Sequence, residues 1–161
     1  MPKIDARLKE LGLMLPAKMQ MPAGVVLPFP WVNVRGRRAI ISGHGPLEAD
    51  GSIAGPCGKV GAEVSVEEAK ALARKLGLAM FASLKTELGS LDRITGWVKV
   101  LGMVNSAPGF NRQPEVINGF SELVLEVFGP EVGRHARSAV GLAALPFDLA
   151  VEIEAEVEIS E

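Results

Sequence analysis

The nine residues VEIEAEVEI, at 151–159, alternate apolar and acidic side chains without a break. A period of two belongs to a β-strand and not to a helix. Val151, Ile153, Ala155, Val157 and Ile159 must therefore face a packed layer, which turns Glu152, Glu154, Glu156 and Glu158 to the opposite side. A slip of one residue would bury four carboxylates, so sidedness is strongly specified. Taken alone, such alternation most often means that the acidic residues solvate an outer face.

The covering layer is predicted to be helical. Ser65 with Glu68 forms a capping box, and Leu72, Leu76, Met80, Leu84 and Leu88 mark one face of a long helix that stops at Gly89. A second helix is marked by Val116, Phe120, Leu123, Val124 and Val127 and closed by Gly129-Pro130. Ile4, Leu8 and Leu11 give a short N-terminal helix ending at Gly12. Residues 16–30 carry four prolines and no period, which predicts an irregular segment on the surface or along an edge.

WVNV and RRAIISG flank a tight turn at Gly36, 94–105 is β-rich, and RSAVGLAAL precedes the alternating strand. The Gly/Pro-rich stretch from His44 to Ala62, with Asp50-Gly51 inside it, reads as a long loop. The order is helix, two strands, helix, strand, helix, two strands. It points to an α+β fold with helices on one face of a mostly antiparallel or mixed sheet, in a single domain over residues 1–161.

At 161 residues and 48% hydrophobic content, one core can bury about two-thirds of the surface of the unfolded chain. Seventeen basic and nineteen acidic residues leave a net charge of −2, which favours neither nucleic acid nor an anionic membrane. The most apolar stretch, AGVVLPFPWV, is interrupted by Pro28 and Pro30, so no membrane helix is expected. A lone cysteine, Cys57, and a charged start, MPKIDARLKE, fit a reducing, cytoplasmic setting.

Few motifs carry chemistry. His44 and His135 lack ligand-like spacing, and no calcium loop, HExxH helix, P-loop or GxSxG elbow occurs, so no metal and no cofactor are expected. RGRR at 35–38 reads as a solvated turn. Arg137 stands apart, because a guanidinium can fork two N–H donors onto a carboxylate. If the last two strands form a hairpin centred between Ala144 and Leu145, Arg137 falls opposite Glu152. That pairing fits either an ordinary cross-strand ion pair or a site.

RSAVGLAALPFDLAVEIEAEVEI resembles the C-terminal signature of the RidA/YjgF family, also called L-PSP endoribonuclease-like, through Arg137, Ser138, Val140, Leu145, Pro146, Glu152, Ile153 and Glu154. Ile41-Ser42-Gly43 and Pro46 in IISGHGP resemble the family's TSGQIP, and Asn118 in VINGFSEL resembles its VNxxYxxFF segment. The resemblance covers most of the chain and leaves residues 1–15 as an added N-terminal helix. It implies a chorismate-mutase-like fold assembled as a homotrimer, with a central barrel and clefts between subunits.

It further implies hydrolysis of reactive 2-imino acids to 2-keto acids and ammonia. Arg137 would bind the substrate carboxylate and Glu152 would position a water, with Phe29, Ser42, Gly43, Asn118 and Ala139 lining the site. Phe29 stands where the family has tyrosine, Ala139 where many deaminating members have cysteine, and His44 where it has glutamine. Two other readings follow from the same residues: a non-catalytic module that binds a carboxylate-bearing metabolite, and an endoribonuclease. The acidic balance and the absence of Tyr speak against nucleic acid.

Overall fold

A computed structural model describes residues 2–21 and 23–161. Met1, at the start of the expected N-terminal addition, and Pro22, one of the four prolines of the irregular segment, lie outside the described residues. The elements follow the expected order: α1 (Lys3–Glu10), β1 (Val32–Arg35), β2 (Arg38–His44), α2 (Val66–Leu88), β3 (Ile94–Asn105), α3 (Gln113–Gly133), β4 (Ala136–Leu142) and β5 (Val151–Ile159).

The five strands form one mixed sheet in the order β1-β2-β5-β3-β4. β3 and β4 are parallel, joined by the α3 crossover, and the remaining neighbours are antiparallel. The expected hairpin between the last two strands does not form. β4 pairs only with β3, so Arg137 lies opposite Val100, while β5 pairs on the other edge of β3 with Glu152 opposite Met103. The reason is burial: all five apolar residues of β5 are buried, which suits the middle of a sheet, whereas β4 is rich in small, half-exposed residues and takes an edge.

α2 and α3 pack on each other and on one face of this sheet. Leu72, Leu76, Met80 and Leu84 of α2 meet Val116, Phe120, Leu123 and Val124 of α3 over Ile41, Val100, Val104, Ile153 and Val157. Gly119 allows the close approach, since a Cβ there would overlap the Lys70 carbonyl. The α2 capping box forms as expected: Ser65 Oγ accepts from Glu68 N, Glu68 accepts from Ser65 N, and Gly89 ends the helix at φ 77°.

Three details differ from the sequence reading. β2 runs on to His44, so the loop begins one residue later; it is held by short bridges such as Leu47↔Ile53 and Val60↔Val64, by Gly58 N donating to the Asp148 carbonyl at 2.7 Å and by the Lys75–Glu48 ion pair. α3 starts at Gln113 and does not stop at Gly129: the chain kinks there (φ 76°, ψ 171°) and one further turn reaches Gly133. α1 starts from Pro2, whose side chain cannot cap, and its first free N–H groups, on Lys3 and Ile4, donate to Asp92 at 2.7 and 2.8 Å. No helix among the described residues is long and apolar enough to cross a membrane.

Candidate active site

The candidate residues fall into two groups on opposite faces of the sheet. The first gathers where β4 meets α3. Arg137 points into the helix layer, where Nη1 donates to Asn118 Oδ1 at 2.8 Å and to Ser121 Oγ at 3.2 Å, and Nη2 donates to the Pro114 carbonyl at 3.4 Å. The three acceptors sit at 114, 118 and 121, one line along α3. Ala139, two residues on, shares the Arg137 face and packs against the core.

All three acceptors of Arg137 are neutral, and no carboxylate meets it among the described residues. Partial burial without a counter-anion pulls its pKa below the usual arginine range. The guanidinium still has Nε–H and one Nη2–H without an acceptor among the described residues.

The second group lies on the face turned away from the helices. Glu152 is half-buried there, and burial, reinforced by the neighbouring Glu154, pushes its pKa above the usual carboxylate range. Among the described residues no cation and no hydrogen bond offsets these effects. Its carboxylate rests against Gly43, where any Cβ would overlap Glu152 Oε1. Gly43 sits at an irregularity in the β2–β5 ladder between Ile41 and His44, which turns the Ser42-Gly43 backbone toward Glu152.

Ser42 Oγ donates to the Pro30 carbonyl at 2.8 Å, and Phe29 stands edge-on to Trp31 with centroids 5.9 Å apart. Phe29, Pro30, Ser42, Leu101 and Glu154 line a hollow of about 400 Å³ beside this carboxylate face. A larger hollow of about 540 Å³, between the proline-rich segment and α2, shares Phe29 and Pro30 as a wall and is lined mainly by apolar residues such as Leu27, Trp31 and Ala79. Of the other glutamates, Glu156 is tied to Arg38 at 2.7 Å, which makes RGRR part of a surface ion pair.

The structure thus brings Phe29, Ser42, Gly43 and Glu152 to one face and Asn118, Arg137 and Ala139 to the other, and the sheet separates the sets. His44 joins neither. It is buried under Trp31 at 5.0 Å, its Nδ1 donates to the Ser42 carbonyl at 2.7 Å, and its Nε2 accepts from Ser83 Oγ at 2.8 Å. Burial lowers its pKa, in keeping with a neutral ring.

Two residues beside Arg137 have no part in the expected site: the sequence reading does not single out Ser121 and weighs His135 only as a metal ligand. Ser121 meets the Arg137 guanidinium, and His135 Nε2 lies 2.9 Å from Ser121 Oγ. The available signal was Ser121 three residues after Asn118, an uncharged polar pair at helical spacing beside the apolar stripe. Among the described residues no group of three or more His, Cys, Asp or Glu side chains converges as a metal site.

Comparison with known proteins bears on the fold that carries these residues. Residues 5–153 match the family model described as "YjgF/chorismate_mutase-like, putative endoribonuclease". The protein TCP17 of Trypanosoma cruzi is 41% identical over 158 residues, covering 98% of this chain and 95% of its own length. Among solved structures, the Agrobacterium tumefaciens protein Atu1372, described as of unknown function, is 40% identical with a TM-score of 0.85, over 98% of this chain and 92% of its own. A "putative endoribonuclease" from Shewanella oneidensis is 28% identical with the same TM-score of 0.85, over 98% of this chain and 99% of its own. On the fold, the extent of the match and these identities, the chain belongs to the YjgF/chorismate-mutase-like family.

Proposed function

We propose that the protein hydrolyses 2-imino acids, or their enamine tautomers, to 2-keto acids and ammonia, in clefts formed between three copies of the chain. One observation carries the reading: among the described residues, a partly buried guanidinium without an anion lies on one face of the sheet, and a half-buried carboxylate without a cation lies on the other. Each half lacks what the other has. A second copy that docks its Arg137 edge against the Glu152 face completes a site, which agrees with the homotrimer implied by the family resemblance.

In that site Arg137 holds the substrate carboxylate with its spare N–H groups and so orients the C=N bond. Glu152 is the general base: its raised pKa makes it a better proton acceptor for a water that attacks the imine carbon. The C–O bond forms, the proton reaches nitrogen, and the carbinolamine loses ammonia to leave the keto acid. Gly43 leaves room for the Glu152 carboxylate, Ser42 ties the adjoining strand to the Pro30 carbonyl, Asn118 steadies Arg137, and Phe29 and Ala139 supply apolar walls. Because Phe29 and Pro30 also wall the larger apolar hollow, a substrate with an apolar side chain fits best.

The deciding experiment is 2-keto-acid release from freshly generated imino acids, with semicarbazide competing for the imine. Wild type should accelerate release and Glu152→Gln should not, while still binding the keto acid. Equal release by both would remove Glu152 from the mechanism.

Phe29 and Ala139 favour a second reading, because they supply no hydroxyl and no thiol: a module that binds a carboxylate-bearing metabolite through Arg137 without turning it over. Saturable keto-acid binding with no imine turnover would select it. An endoribonuclease is disfavoured, since the four glutamates of β5 give a face that repels phosphate.

A further inference from the structure

We propose that Ser121 and His135 are positioning residues that hold the Arg137 guanidinium ready for a carboxylate. The inference rests on the reading of Arg137 given above and adds the residues that make it work. An arginine side chain is rich in rotamers, so a free guanidinium would lose much of its binding energy to being ordered. Here a chain of hydrogen bonds removes that freedom in advance.

The chain can be followed atom by atom. The Gly133 carbonyl lies 2.7 Å from His135 Nδ1. A carbonyl can only accept, so Nδ1 carries the proton and Nε2 of the neutral ring has a lone pair. That lone pair faces Ser121 Oγ at 2.9 Å and takes its O–H. With its hydrogen committed, Ser121 can present only lone pairs to Arg137 Nη1 at 3.2 Å. His135 therefore sets the direction of the Ser121 hydroxyl, and Ser121 with Asn118 occupies Nη1. Nε–H and one Nη2–H stay available to a ligand.

Two further features support this order. Gly133 belongs to the extra turn after the Gly129 kink, and that turn is what brings its carbonyl to the imidazole. Burial lowers the pKa of His135, and the Arg137 charge acts in the same direction, against the Gly133 hydrogen bond, which raises it. The ring is thus kept neutral, which avoids two cations sharing one hydroxyl oxygen.

The test is calorimetric affinity for 2-oxobutanoate, with KM and kcat for imine hydrolysis, in wild type, Ser121→Ala, Ser121→Thr, His135→Phe, His135→Gln and Arg137→Ala. Ser121→Ala and His135→Phe should weaken binding and raise KM about tenfold, the scale of one hydrogen bond to a charged group. Their kcat should stay within about twofold of wild type, because Glu152 is untouched. Ser121→Thr, which keeps the hydroxyl, and His135→Gln, which keeps an acceptor, should restore most of the affinity and serve if His135→Phe fails to fold. Folded Ser121→Ala with wild-type affinity, or with an unchanged KM and a reduced kcat, would overturn the positioning role. Wild-type affinity in Arg137→Ala would overturn the reading of Arg137 itself, and the positioning role with it.

Discussion

At the scale of single residues the proposed hydrolysis depends on Glu152 and on what surrounds it. Its pKa is raised by burial first and by the Glu154 charge second, so as a general base it loses activity when protonated, as pH falls through that raised value. The acid limb of the kcat/KM profile should report this group, and Glu154→Gln should shift it to lower pH by removing the like charge. A limb that does not move would exclude Glu154 as a cause. The same shift bears on stability. A carboxyl with a raised folded-state pKa binds its proton more tightly folded than unfolded, so stability falls as pH rises through that window. Glu152→Gln should therefore keep or raise the thermal midpoint at pH 7 while removing activity.

Gly43 is the residue-scale counterpart. A methyl group there meets the Glu152 carboxylate, and moving a catalytic group by an ångström costs on the order of a hundredfold in rate. Gly43→Ala should lower kcat by about tenfold to a hundredfold with circular dichroism unchanged. A wild-type kcat would show that the carboxylate has room to move.

At the scale of elements, α2 and α3 position the Arg137 half. α3 presents its Arg137 acceptors only if it lies flat on β3 and β4, and Gly119 against Lys70 sets how closely it meets α2. Gly119→Ala should separate the helices and destabilise the fold by about 1–3 kcal/mol, the range for overpacking a close contact. Thermal denaturation reads this directly, and an unchanged midpoint would mean that the interface relaxes freely. The helices themselves were legible beforehand. The Ser65–Glu68 box and Gly89 bound α2 where expected, because capping depends on neighbours within one turn. The end of α3 was legible only as far as Gly129: the further turn to Gly133 has no apolar period of its own, and the His135 side chain bonds to its last carbonyl.

At the scale of the whole molecule, the halves on opposite faces make a prediction that no single-chain site could share. Arg137→Ala and Glu152→Gln variants, each inactive alone, should regain activity when unfolded together and refolded as a mixture. Random assembly at equal amounts gives about a quarter of the clefts one intact Arg137 and one intact Glu152 from different copies. No recovery, with mixed oligomers verified by native mass spectrometry, would place both residues in sites within one chain.

The sequence alone determined that β5 has one apolar and one acidic face and that two helices, the first of them capped at both ends, cover the apolar one, and it singled out Arg137 and Glu152 as candidates. Those are local properties: a period of two, a capping box and a short motif each depend on residues close together in the chain. Tertiary structure decided which strands become neighbours. An alternating pattern states which side of a strand is buried and says nothing about which backbone its N–H and C=O groups meet. β5, fully apolar on its helix side, took the centre beside β3, and β4 went to the far edge, so Arg137 and Glu152 came to face opposite ways instead of each other.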